Sequence, residues 1–197
     1  MKMEMIIKLI YSILVVLYEQ TGFALILAML FMYMFLFARE YGWKQALRTY
    51  WVEFSQNKVF RRMFFLVFYF SMLFFRTLLN RDMWLNPLND IMGGWGLYNM
   101  ERELTTEAIE NVILFIPAIS LLYWNFHNKI FLNKFILWAV VWKSFLISFV
   151  SSLGIEFCQL FFRVGTFQLA DLCYNTVGGL IGGLVYWGGY KIINRKK

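Results

Sequence analysis

Residues Ser151–Arg163 read SSLGIEFCQLFFR. A carboxylate, an amide and a guanidinium stand inside an otherwise apolar run, and their spacing decides the fold. At about 100° per residue, Ser152, Glu156, Gln159 and Arg163 fall on one helical face roughly 60° wide. A strand would split them between its two faces. Upstream the run reaches Phe135 with Lys143 as its only other charge. Phe135–Phe162 therefore exceeds the roughly 20 residues a helix needs to cross hydrocarbon.

The whole chain shares this character. Of its 197 residues 60% are hydrophobic and only 16% charged, too little polar surface for a soluble domain of this size. The mean hydropathy is +0.58. The net charge of +7 is confined to particular segments, which reads as membrane topology and not as nucleic-acid binding. One histidine, His127, and two cysteines, Cys158 and Cys173, match no ligand or redox spacing. No metal and no cofactor is expected, and His127 is expected to be solvated in a turn.

Apolar runs predict an all-α, polytopic transmembrane bundle of five spans, near residues 22–38, 63–79, 108–126, 135–162 and 171–193. A sixth crossing at residues 6–18 is the alternative. Between the first two spans lie Arg39, Lys44, Arg48, Lys58, Arg61 and Arg62, in an aromatic, amphipathic stretch (WKQALRTYWVEF) that fits a helix lying on the cytoplasmic leaflet. Residues 1–62 thus form an N-terminal span with its amphipathic segment, and 63–197 a membrane domain. The segment 80–110 reverses the balance, with Asp82, Asp90, Glu101, Glu103, Glu107 and Glu110 against Arg81 and Arg102. The positive-inside rule then places the basic segments and the C-terminus in the cytoplasm. The protein is expected in the cell membrane.

This topology collects polar residues at one face. Arg76 and Arg81 end the second span, Asn111 starts the third, Glu156, Gln159 and Arg163 end the fourth, and Asp171 and Asn175 start the fifth. Charges near hydrocarbon are costly and seek partners or a wet cavity, and an Arg163–Asp171 ion pair could close the short link between the last two spans. Asp171, Asn175, Gly178 and Gly182 share a helical face. Gly178/Gly182 and Gly179/Gly183 are small-xxx-small pairs that let helices approach closely. Pro117 is read as a tolerated kink. The polar set is either a ligand site or only mutual satisfaction of helices at the headgroups.

The elements RTLLNR (76–81), NPL (86–88), NVILFIP (111–117), GIEFCQLFFR (154–163) and ADLCYNTVGGLIGG (170–183) occur in that order. Over residues 70–190 they resemble the VanZ-like family, whose members share N-x-x-x-F-x-P, S-x-x-I-E-x-x-Q and D-x-x-x-N-x-x-G-x-x-x-G elements. The first 60 residues lie outside this resemblance, and Leu88 and Ala118 depart from the usual pattern. The family's namesake is associated with resistance to the glycopeptide teicoplanin without altering the peptidoglycan precursor. The resemblance implies a multi-pass membrane protein of the cell envelope.

Three functions follow as expectations. In the first, Arg76, Arg81 and Arg163 hold the phosphate of an anionic membrane lipid or lipid-linked cell-wall intermediate, oriented by Glu156 and Asp171. In the second, Glu156 and Asp171 form the acid–base pair of a lipid-modifying enzyme, although no nucleophile motif is present. In the third, residues 43–58 bind a membrane protein partner.

Overall fold

The computed structural model describes residues 26–27, 29–79, 83–96, 106–132 and 135–195. Arg81, the alternative crossing at 6–18 and the start of the expected first span lie outside the described residues. The described chain is helical between its connections, with no strand. It divides into two compact units, Met1–Arg61 and Arg62–Lys197.

In the first unit, helical residues 29–41 (α1) stop at Gly42, whose φ of +84° only glycine adopts cheaply. Helix α2, Trp43–Gln56, follows, and the Trp43 ring stacks on Phe31 at 5.9 Å. Asn57 joins α2 to the next helix. Its amide nitrogen donates to Glu53 Oε2 (2.7 Å), and its Oδ1 accepts from the backbone N–H groups of Val59 and Phe60 (2.9 and 3.2 Å). That is N-cap geometry, which satisfies donors the helix itself cannot. Helix α2 buries only Ala46 and leaves Trp43, Leu47, Tyr50 and Trp51 exposed.

The second unit holds most of α3, Lys58–Phe74, which runs on into a π-helical turn, Phe75–Leu79. Helices α4 (Glu107–Phe131), α5 (Leu137–Phe162) and α6 (Leu169–Asn194) complete it. Lys58–Leu79, Glu107–Phe131 and Leu137–Phe162 are each long and apolar enough to cross a membrane. At 26 residues α6 is as long as α5, but Asp171, Asn175 and its glycines keep it short of that apolarity.

Helix α6 is the centre of the unit, packed on both α4 and α5. Its glycines explain how. A Cβ on Gly178 or Gly182 would overlap the carbonyl oxygens of Val112 and Ile116 on α4. One on Gly179 or Gly183 would overlap Ser148 and Ser144 on α5. The two small-residue pairs thus serve two different neighbours. Ser144, Ser148 and Ser152, four residues apart and fully buried, form the matching face of α5. Small side chains let backbones close in, where dispersion and polar contacts must supply the attraction that water cannot. Ser120 on α4 reaches both Ile116 O (2.8 Å) and Gly182 O (2.9 Å), a hydroxyl bridging two helices.

One feature departs from expectation. The non-helical backbone of α4 is at Phe126 (φ −116°, ψ 21°), not at Pro117. There the Asn125 amide donates to Leu121 O in its own helix and to Arg62 O on α3 (3.0 and 3.1 Å), an inserted side chain of the kind that bends helices. Lys143, the other charge of the α5 run, finds its contact on a neighbouring helix. Its ammonium donates to Ile130 O, where the end of α4 presents a carbonyl no helical N–H can reach.

Candidate functional site

The sequence-predicted residues gather where α3 ends, α4 and α6 begin and α5 ends. Four of them are buried. Glu156 and Gln159 are each 1% exposed, Asn175 4% and Asp171 5%. A buried carboxylate or amide is tolerated only when hydrogen-bonded, and each finds a partner on another segment. Asn111 Nδ2 donates to Asp171 Oδ1 at 2.7 Å, joining α4 to α6. Asn175 Nδ2 donates to Ser152 Oγ at 2.9 Å, joining α6 to α5. Gln159 Nε2 donates to Thr77 O at 2.8 Å, joining α5 to the π-helical turn. Such turns disrupt the regular ladder and so free carbonyls for outside donors. Glu156 Oε2 accepts the backbone N–H of Gln168 at 2.8 Å and fixes the link into α6.

The arginines differ. Arg76 and Glu110 form an ion pair at 2.9 Å with side chains 54% and 52% exposed. Glu110 also accepts from Thr106 Oγ1 at 2.7 Å. Together with Thr77, Glu107, Asn111 and Tyr69 they line a cleft of about 360 Å³. Arg163 is exposed and caps α5 with a left-handed backbone, φ +56°. The expected Arg163–Asp171 ion pair is not formed. The link closes instead through backbone bonds, Val164 N–H to Gln159 O among them (3.0 Å), and Asp171 turns inward to Asn111.

Sequence reasoning missed the cover of this end. Residues 83–96 lie along the α5–α6 link and exchange backbone hydrogen bonds with it. Trp84 N–H donates to Arg163 O, Phe167 N–H to Pro87 O and Leu169 N–H to Ile91 O, at 2.8 to 2.9 Å. Gly93, with φ +70°, lets the loop pass so close that a Cβ would press on Gln168 and Ala170. Outward, the loop exposes Met83, Trp84, Leu88 and Trp95, and Leu85 is 89% exposed. The buried Ser144 and Ser148 were also missed, although their four-residue spacing with Ser152 and Glu156 was there to be read.

The opposite end of the unit is built from rings. His127, expected to be solvated, is half-buried. Its Nδ1 lies 3.2 Å from Tyr186 Oη and its ring stacks on Tyr190 at 4.5 Å and 13°. Among the described residues no group of histidine, cysteine or carboxylate side chains could hold a metal ion.

The ordered motif residues thus converge on one end of a helical unit, from segments far apart in the chain. The VanZ/LLP1 family matches residues 23–193. The chain belongs to the VanZ/LLP1 family. The match takes in most of the N-terminal unit, which the motif resemblance had left out. Protein VanZ of Enterococcus faecium is 40% identical over 91 residues, 46% of this chain and 50% of that protein. The matched part spans half the length of that relative. No solved structure matches. Family membership and three long apolar helices identify a membrane protein.

Proposed function

We propose that this VanZ-family chain is a multi-pass membrane protein that acts in glycopeptide resistance or envelope-lipid handling. Its acidic-amide end would face outward and bind the phosphate of an anionic lipid or lipid-linked cell-wall intermediate. The observation that carries this reading is the division of labour at that end. Buried Glu156, Gln159, Asp171 and Asn175 brace the helices, while the exposed Arg76 and Arg163 stay at the surface. Arg76 sits on the rim of a 360 Å³ cleft, held in place by Glu110. A guanidinium oriented by a carboxylate is prepared for phosphate. Arg81 belongs to the same reading. The exposed tryptophans and Leu85 of the 83–96 loop suit the headgroup layer, where such residues settle.

Gln159 Oε1, Gln168 Oε1 and Asn175 Oδ1 are buried without a hydrogen-bond partner among the described residues. Each such acceptor costs about 1–3 kcal/mol until a donor reaches it. A hydroxyl- or amide-bearing headgroup would supply donors. This favours binding over catalysis, since Glu156 and Asp171 are occupied as braces. In this reading α6 and the N-terminal segment complete five spans, the C-terminus is cytoplasmic, and α2 lies on the cytoplasmic headgroups with Trp43, Leu47, Tyr50 and Trp51 toward lipid or a protein partner.

The test is teicoplanin susceptibility of a sensitive Gram-positive host expressing wild type, Arg76→Glu or Arg163→Glu at equal membrane levels. Protection lost on charge reversal supports the site. Protection that survives both reversals removes Arg76 and Arg163 from function, and none from wild type removes the resistance role. An Arg163→Cys variant without other cysteines should react with an impermeant maleimide in whole cells. Labelling only after permeabilisation would invert the topology.

A further inference from the structure

We infer a second binding site, for a phosphate-bearing amphiphile, at the opposite end of the Arg62–Lys197 unit. A cavity of about 770 Å³ opens there between α4 and α6, with Arg62 of α3 on its rim. Its charged lining residues are Arg62 and Lys129, with the His127 imidazole beside them and no carboxylate among the described lining. Its walls are apolar, and Val185 and Ile193 continue them onto an exposed face of α6 (58% and 67% exposed). Cations at the mouth and hydrocarbon along the wall fit a phosphate head carrying an apolar tail. The volume exceeds what a phosphate alone would fill.

Two observations show a built cavity. First, the bend at Phe126 is held by the Asn125 amide, and the Arg62 guanidinium reaches Trp124 O (3.4 Å) and lies 5.9 Å over the Trp124 ring. One rim cation is therefore oriented by the same bend that shapes the cavity. Second, the glycines of α6 change role along the helix. Gly178, Gly179, Gly182 and Gly183 are pressed by α4 and α5, but a Cβ on Gly189 would meet nothing within 4 Å, and Gly189 lines the cavity. Helix packing does not require glycine there, and its absent side chain leaves space for a ligand.

The experiment uses the full chain, purified in detergent, with bound lipid counted by native mass spectrometry. It is run in an Arg76→Glu, Arg81→Glu, Arg163→Glu background, so that the end treated under the proposed function does not contribute and either reading can fail alone. The probes are phosphatidylglycerol, a polyprenyl monophosphate, zwitterionic phosphatidylcholine, and glycerol phosphate without a tail. Both anionic lipids should be retained, with Gly189→Leu and Lys129→Gln each weakening them by about tenfold, the loss of one charge-assisted contact or of the tail's space. Gly189→Ala should bind as the parent does. Preference for the monoester over the diester, or the reverse, assigns the lipid source. Binding of glycerol phosphate as tight as that of the lipids overturns the amphiphile. Equal retention by parent, Gly189→Leu and Lys129→Gln overturns the site, and Lys129→Gln, an exposed change, decides alone if Gly189→Leu does not fold.

Discussion

The two ends of the Arg62–Lys197 unit spend their polar groups in opposite ways. At one end, carboxylates and amides are buried and joined across helices, as in Asn111–Asp171, Gln159–Thr77 and Asn175–Ser152. At the other, aromatic rings stack around His127 while cations sit at the mouth of an open cavity. A polar residue in an apolar chain is therefore no signpost to a ligand by itself. Burial with a partner marks bracing, and the contact proposed for Arg76 rests on its exposure beside a cleft.

Substitutions can break this contrast, beginning with the packed glycines. Gly178→Leu or Gly182→Leu drives a side chain into the backbone of α4 and should cost about 3 kcal/mol or more, seen as loss of monodisperse protein on size exclusion. Removing a brace should come next. Glu156→Ala orphans the Gln168 N–H and should destabilise by about 1–3 kcal/mol in detergent melting. Glu156→Gln keeps an acceptor and should lose less than half of that. If both melt like wild type, Glu156 is no brace and the ligand reading of that carboxylate returns. Ser148→Ala should cost about 0.5–1 kcal/mol, the usual worth of a hydroxyl between membrane helices. Smallest is the exposed ion pair. Arg76→Ala should change melting by no more than about 1 kcal/mol, so any loss of teicoplanin protection in that variant is functional.

Much of the frame was legible. The four- and three-residue spacing of Ser152, Glu156 and Gln159 gave the helix and its inward face, and the glycine pairs gave the close approach. The motif order gave the family. The pairings were not legible, because periodicity reports which face a residue occupies and not what stands opposite. Gln159 meets Thr77 across 82 residues of sequence, and Asn111 meets Asp171 across 60. Arg163 and Asp171 suggested an ion pair because they lie close in sequence. The left-handed backbone at Arg163 turned the chain without one. The cover formed by residues 83–96 is held mainly by backbone groups, which carry no side-chain signature, with the Tyr174 hydroxyl accepting from Gly96 N–H at its end (2.7 Å), and the bend at Phe126 comes from an asparagine where a proline drew attention.

The position of α6 also bears on how the protein is made. A translating ribosome completes α4 and α5 before α6 emerges. Among the described long helices of its unit, α6 is the one not apolar enough by itself to cross a membrane, yet it packs closely against both α4 and α5. If α6 crosses the bilayer, as proposed above, its entry and its tertiary folding would be a single step, driven by fit to the carbonyls of Val112 and Ile116 and to the serine face of α5. A nascent chain whose α4 groove is spoiled would hold a stranded α6, a form that quality-control proteases recognise. Expression level, before any assay of resistance, would then report on the glycines.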